Sequence, residues 1–171
     1  ADRRDALLQR LSMYKLRASV EIAADDRPVF AAWRDTPDGF LPDPRTPLLG
    51  GRRYGETTAD ATEADYDAHR LAVGVPDPTN DALSDKTYPI EADFDLLNGI
   101  DFHKGCFVGQ ETTSRMKRRG AIRNRMLPIA FDGSPPPFGA EVLNGDLRAG
   151  EVLGGREGAA MALLRSEERR V

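Results

Sequence analysis

The octet Lys104-Gly-Cys-Phe-Val-Gly-Gln-Glu111 gathers the residues of this chain best suited to chemistry: its only cysteine, Cys106, set between Gly105 and Gly109 and two residues after a lysine. Gln110 to Arg119 reads as a short helix, with Glu111 in its first turn, Lys117, Arg118 and Arg119 in its last, and Gly120 as the stop. Cys106 is therefore expected close to the positive end of that helix. Amide N–H groups, the helix dipole and the Lys104 ammonium would favour the thiolate there, the form that attacks electrophiles and binds metals. Gly105 and Gly109 let backbone approach a ligand or take a positive φ. A second reading stands beside this one, in which the cysteine is a small buried hydrophobe. The glycine spacing is not that of a phosphate loop, because Lys104 precedes the turn and a phosphate-binding lysine follows it.

The elements that must position the octet are legible in part. Asp5 to Tyr14 carries Leu7, Leu8, Leu11 and Tyr14 at helical spacing, and the β-branched run Val20 to Ile22 predicts a strand. Val29 to Trp33 predicts another, forming a hairpin with the first across the turn Asp25-Asp26-Arg27-Pro28. Asp35 to Arg53, with four prolines and three glycines, reads as loop, ending in a short strand at Arg52 to Tyr54. Thr62 to Val73 resumes helical spacing, with Tyr66, Arg70 and Val73 on one side, and Gly74-Val75-Pro76 ends it. Pro76 to Asp93 is a polar connector and a candidate mobile lid, leading through Phe94, Leu97, Ile100 and Phe102 into the octet.

Beyond Arg125 the pattern changes to short strands: Met126 to Phe131, Glu141 to Leu143, Glu151 to Leu153 and Ala159 to Arg165, with a hairpin signal at Asn144-Gly145. About 45 residues of this kind are marginal alone, so a small barrel or sandwich docked on the first domain is expected. The division is 1–125 and 126–171.

Composition narrows the classes. A chain of 171 residues with 40% hydrophobic content buries one sizeable core or two small ones sharing an interface, as a soluble globular protein. With 28 acidic residues against 24 Lys and Arg, the net charge of −4 gives no long-range attraction for nucleic acid or an anionic membrane. Any anion site is local. One cysteine excludes an intrachain disulfide and, within this chain, a four-cysteine cluster or structural zinc site. No stretch approaches the roughly 18 apolar residues of a membrane span, and Ala1 to Arg10 is too charged for a signal peptide, so a reducing, intracellular compartment fits.

Six cations, Arg115, Lys117, Arg118, Arg119, Arg123 and Arg125, follow one another within eleven residues with no acid among them. They suit an anionic tail, a phosphate or an acidic partner surface, and equally a solvated face that complements the helix dipole. Nucleic acid is disfavoured, since stacking aromatics are missing nearby. Glu111 and Arg115, four apart with the acid first, support a helix by roughly 0.2–0.5 kcal/mol whether or not they touch a ligand. His69 and His103 are too few and too separated for a metal site, and Trp33 is expected in the core.

Lys104-Gly-Cys-Phe-x-Gly-Gln-Glu111, with Arg115 four residues on, resembles the signature of the YgfZ family, folate-binding relatives of the glycine-cleavage T protein (aminomethyltransferase) that act in iron–sulfur cluster assembly and repair. Tyr14-Lys15-Leu16-Arg17-x-x-Val20-Glu21-Ile22, Asp43-Pro44-Arg45 with Leu49-Gly50-x-Arg52, and Tyr66-x-x-x-Arg70-Leu71-x-x-Gly74-Val75-Pro76 resemble further family segments in the same order. The resemblance covers about Leu7 to Arg165. It implies an α+β fold, with a T-protein-like domain followed by a C-terminal β-barrel. It also implies tetrahydrofolate or a derivative as cofactor, bound with the help of Gly105, Gly109, Gln110, Glu111, Arg115, Arg70 and Tyr66, and Cys106 with Lys104 as the reactive pair. No metal site is implied. The implied partners are iron–sulfur assembly factors or client enzymes, among them enzymes that modify tRNA, in bacterial cytoplasm or the mitochondrial matrix. Family members carry an N-terminal segment, with the T-protein catalytic aspartate, that this sequence does not match, so a fragment or one piece of a nicked protein is expected. A folate-dependent aminomethyl- or one-carbon transferase is the alternative. Ala72 departs from it, standing where T proteins have an acid in an arginine-hydrophobe-Glu-Ala-Gly pattern. A third reading is an interaction module that holds an acidic client.

Overall fold

A computed structural model of the chain describes residues 3–82, 86–107, 109–118 and 122–165. Helix α1 (Arg4–Tyr14) buries none of its residues, and Leu7, Leu11, Met13 and Tyr14 are exposed. Arg4 of this helix forms an ion pair with Asp26. Val20 to Ile22, expected as a strand, is irregular. Strand β1 (Val29–Ala32) pairs instead with β3 (Gly51–Tyr54), which also takes β2 (Leu41–Pro42), in an antiparallel sheet of order β1-β3-β2. The predicted hairpin across Asp25–Pro28 is therefore corrected. A β-branched run becomes a strand only where a neighbouring edge offers hydrogen bonds, and here β3 is the edge that meets β1.

Asp43, just past β2, holds this small sheet to its connections. Its carboxylate accepts from the backbone N and Nε of Arg45 (both 3.0 Å), from Nη2 of Arg45 (2.9 Å) and from Nε of Arg52 (2.8 Å). Arg45 also donates to the Tyr66 hydroxyl (2.9 Å), joining the sheet to the next helix. Burial opposes the charge on Asp43, but the hydrogen bonds from Arg45 and the charges of Arg45 and Arg52 prevail and pull it from the ordinary 3.8 down to about 2. A carboxyl depressed in the folded state contributes stability above its unfolded pKa and loses it as pH falls through the folded one. On the order of 2 kcal/mol should disappear between pH 4 and pH 2, and Asp43→Asn should flatten that slope in urea unfolding. An unchanged acid slope in the variant would contradict this assignment.

Helix α2 (Glu63–Ala72) begins with a capping box, in which the Thr62 side chain accepts from Asp65 N and the Asp65 carboxylate accepts from Thr62 N (2.8 Å). Its inner face carries Leu71 into a core shared with Ala92, Met126, Leu153 and Met161. Arg70 on the same face is 4% exposed. It donates to Asp67 (2.6 Å), to the Val75 carbonyl (3.2 Å) and to Asp81 (2.5 Å).

Asp81 is fully buried, and its other partner is the Asp77 amide (2.8 Å). The connector after α2 is thereby pinned. Further on, Ile90, Glu91, Ala92 and Asp93 are buried, and Met126 N donates to the Glu91 carbonyl (2.8 Å). Asp81 and the stretch 90–93 are thus packed into the core, which corrects the expected mobile lid for these parts of the connector, while 78–80, 86, 88 and 89 are exposed. Residues 83–85 of that expectation lie outside the described residues.

The C-terminal strands β4 (Asn124–Ala130), β5 (Glu141–Asn144), β6 (Leu147–Arg156) and β7 (Ala159–Arg165) form one antiparallel sheet of order β4-β7-β6-β5. β5 and β6 join at Gly145, φ +61°, where the Asn-Gly signal placed the turn. Gly154 on β6 lets the 77–81 turn lie against the sheet, since a Cβ there would collide with the Asp81 carboxylate and crowd the Asn80 carbonyl. The sheet packs on α2 and the connector through the shared core, and Arg156 hydrogen-bonds the Ala64 carbonyl. The protein is thus a mixed α/β structure with a C-terminal sheet docked on what precedes it.

Candidate functional site

Residues 104–107 and Gly109 of the octet are irregular, and Gln110 and Glu111 open helix α3 (Gln110–Arg118). Gln110 closes the entry reciprocally: its backbone N donates to the Phe107 carbonyl (3.1 Å), and its Oε1 accepts from Phe107 N (3.1 Å). Gly109, at φ +82°, takes a conformation strained for other residues, and its carbonyl accepts the first intrahelical bond, from Thr113 N (3.1 Å). Among the described residues, chain neighbours aside, nothing stands within 4 Å of a Cβ built at Gly105 or Gly109. These two glycines leave the loop open on the solvent side.

Cys106 is exposed. It lines an open hollow of about 570 Å³ together with Phe107 and with Gln110, Glu111, Ser114, Arg115 and Arg118 of α3. Those helical positions form a single face, because residues three and four apart stack along a helix. Glu111 and Arg115 share the hollow without an ion pair between them, so the helix-supporting pair expected from their spacing is not closed. Among the described residues the Arg115 and Arg118 guanidiniums have no hydrogen-bond or ion-pair partner. The hollow therefore presents one sulfur, two cations, one carboxylate, an amide and a hydroxyl.

Lys104 does not line this hollow. Its Nζ sits 5.4 Å from the Phe107 ring centroid, and it lines a second hollow of about 210 Å³ with Pro89, Phe94, Ile100 and the buried Thr113. Phe107 borders both hollows. Lys104 thus makes a cation–π contact with Phe107, the neighbour of Cys106, and a second such contact puts Lys117 Nζ 3.7 Å over the Phe102 ring.

The cationic strip is likewise divided by the fold. Arg125 is drawn inward, donating to Asp93 (2.6 Å), to Asp95 (2.6 and 2.8 Å) and to the Ile90 carbonyl (2.8 Å). Burial works against the Asp95 charge, and Arg125 outweighs it, leaving that carboxyl below its ordinary value. Arg123 is exposed, and Arg119 lies outside the described residues.

Tyr66 and Arg70 line neither hollow. Tyr66 makes an edge contact with Trp33 (5.7 Å), which also stacks on His69, and Arg70 is held by Asp67 and Asp81. His103 lines neither hollow, its backbone N bonding Asp101 (2.8 Å). Sequence reasoning missed Phe107 and Ser114 as lining residues. The helical spacing of Ser114 from Gln110 and Glu111 was the available signal.

Residues 123–170 match the CAF17 C-terminal β-barrel domain, the stretch that folds here as β4 to β7. Over 82% of its length the chain is 30% identical to an iron–sulfur cluster assembly factor IBA57 homolog, mitochondrial, of Neurospora crassa, covering 39% of that protein. To the homolog of Phaeosphaeria nodorum it is 38% identical over 77% of its length, covering 37% of that protein. To the mouse mitochondrial iron–sulfur cluster assembly factor IBA57 it is 29% identical over 95% of its length, covering 54% of it. The chain thus spans from 37% to 54% of the length of these relatives. It is similar, over most of its own length, to mitochondrial IBA57 iron–sulfur cluster assembly factors, and it ends in a β-sheet of the CAF17 C-terminal type.

Proposed function

We propose that the protein acts in iron–sulfur cluster assembly or repair, in the mitochondrial matrix, as a YgfZ-type relative of the T protein, with Cys106 as a transient ligand for a cluster or a sulfur carrier. The observation that carries the reading is the placement of the chain's only cysteine, exposed, in a hollow edged by the Arg115 and Arg118 side chains, in a chain similar to proteins named as iron–sulfur assembly factors. One thiolate supplies one of the ligands a cluster takes, commonly four cysteines. Among the described residues no three His, Cys, Asp or Glu come together to supply the others. The remaining ligands then come from a partner, which makes transfer the natural role.

Tetrahydrofolate, or a derivative, is the proposed cofactor. The donor set of the hollow fits its anionic end: Arg115 and Arg118 suit glutamyl carboxylates, Phe107 offers an aromatic edge, and Gln110 offers an amide. Gly105 and Gly109 keep the loop open to it, and Glu111 sets the polarity of the far wall. When bound, the folate would supply a one-carbon carrier or a redox-active pterin. Tyr66 and Arg70, outside this hollow, shape the fold on which it rests. Client enzymes, including tRNA-modifying ones, receive the product of assembly.

The test compares wild-type and Cys106→Ser full-length protein in cells lacking the native gene product. The activity of cluster-dependent enzymes should fall ten-fold or more on the order of a full loss of a ligand, while folate binding and unfolding stability stay at the wild-type level. Full activity with the serine variant would remove the sulfur from the reading.

A further inference from the structure

Thr113 on α3 is 9% exposed, yet among the described residues its hydroxyl has no hydrogen-bond partner. The bond Thr113 makes, to the Gly109 carbonyl, comes from its backbone N. The hydroxyl is not sealed in either, since among the described residues the sealed side-chain polar atom without a partner is Asp81 Oδ1. Thr113 lines the hollow of about 210 Å³, so its hydroxyl opens there, at the buried end. A buried hydroxyl without a bond is a standing cost, which an occupant able to bond it removes. Pro89, Phe94, Ile100 and Phe107 make the walls apolar, and exposed Asp101 and Lys104 stand at the edge with no ion pair between them. We infer that this hollow is an anchor site for a protein partner and receives one of that partner's tyrosine side chains.

A ring with a hydroxyl at its far end complements apolar walls with a hydroxyl at their base. Phenylalanine would leave Thr113 without a bond, and an ionised group would be stranded among the walls. At the edge, Lys104 can donate to a carbonyl and Asp101, whose Oδ1 already takes His103 N (2.8 Å), keeps Oδ2 for an N–H. One donor and one acceptor are what a peptide backbone needs, whereas a free anion would be repelled by Asp101. Aromatic residues seated in such pockets carry much of the energy of protein interfaces. The inference rests on the reading that a partner supplies the other cluster ligands, and it says how that partner is held. Phe107 follows Cys106 in the chain and borders both hollows, so a tyrosine in the second brings its own chain near the sulfur. Arg115 and Arg118 line the other hollow and take no part.

The experiment titrates isotope-labelled protein with N-acetyltyrosinamide and with N-acetylphenylalaninamide, following the backbone amide signals of Gly99, Ile100 and Thr113 by nuclear magnetic resonance. The wild type should bind the tyrosine probe roughly three- to ten-fold more tightly, as for one hydrogen bond. Thr113→Val keeps the shape of the side chain and removes the hydroxyl, so it should bind the two probes equally while unfolding at the wild-type denaturant concentration. Equal affinities in the wild type, or a preference retained in Thr113→Val, would overturn the inference. Tighter binding of a free pterin than of the tyrosine probe at the same signals would also overturn it, by making the hollow a pocket for a small molecule. In cells producing limiting amounts of the protein, Thr113→Val should lower the activity of cluster-dependent enzymes about three-fold, the loss of that same bond; wild-type activity there would remove the partner. Loss of cluster-enzyme activity in Cys106→Ser without a tyrosine preference leaves the proposed function standing and removes this anchor; a tyrosine preference with full activity in Cys106→Ser does the reverse.

Discussion

Arg70→Met is expected to cost about 3–5 kcal/mol of folding stability at neutral pH, because it leaves a buried carboxylate without its counter-charge. Arg70 and Asp81 are 4% and 0% exposed, and their ion pair closes the connector onto the C-terminal end of α2. Burial already pushes the Asp81 carboxyl up, against the Asp77 amide and the Arg70 charge that favour ionisation. Without the arginine it rises further. A carboxyl raised in the folded state contributes stability below its unfolded pKa and loses it as pH rises through the folded value. The deficit of the variant should therefore be largest at pH 7 and narrow toward pH 4.5, as Asp81 takes up a proton. Urea unfolding at the two pH values measures this. Arg70→Met/Asp81→Leu should recover much of the loss, since an apolar pair is often as stable as a buried ionic one. A single variant within 1 kcal/mol of wild type at pH 7 would show that the pair does not anchor the connector.

Leu71→Ala should cost about 2–5 kcal/mol through lost burial and the cavity left behind. Leu71 is 1% exposed and stands where α2, the connector and strands β4, β6 and β7 meet, beside Ala92, Met126, Leu153 and Met161. The loss should appear as one cooperative transition shifted as a whole, because the C-terminal sheet and the helix share this core. Far-ultraviolet circular dichroism and Trp33 fluorescence should then give coincident curves in denaturant. A C-terminal sheet that stays folded after the tryptophan signal is lost would mean that the two parts are independent. By contrast Leu7→Ala, on the exposed face of α1, should change stability by no more than about 0.5 kcal/mol.

These effects concern residues whose roles differ in how far sequence reveals them. Helix α2 was legible because its start is written locally: Thr62 and Asp65 cap each other, and the apolar period follows at once. The β5–β6 hairpin was legible at Asn144-Gly145 for the same reason, since only residues that tolerate positive φ close so short a turn. Val20 to Ile22 had strand composition and no strand, because hydrogen-bonding partners are assigned by the fold and β1 found β3. Arg70 looked like a ligand donor. Whether a guanidinium reaches solvent or a buried carboxylate depends on Asp81, whose place depends in turn on a glycine in β6.

The site shows the same division. From the sequence alone it was determinable that Cys106 precedes a short helix carrying an acid early and cations late, that Gly109 marks its entry, and that about 45 residues at the end form a β unit, because caps, turns and periodicity act within a few residues of one another. Only the tertiary structure decided which cations share a hollow with the sulfur. Arg115 and Arg118 do, while Lys104 turns to Phe107, Lys117 to Phe102 and Arg125 to Asp93 and Asp95. The physical reason is that a long charged side chain goes to the nearest carboxylate or aromatic face that packing leaves within reach, and those partners are brought up by elements distant in the chain.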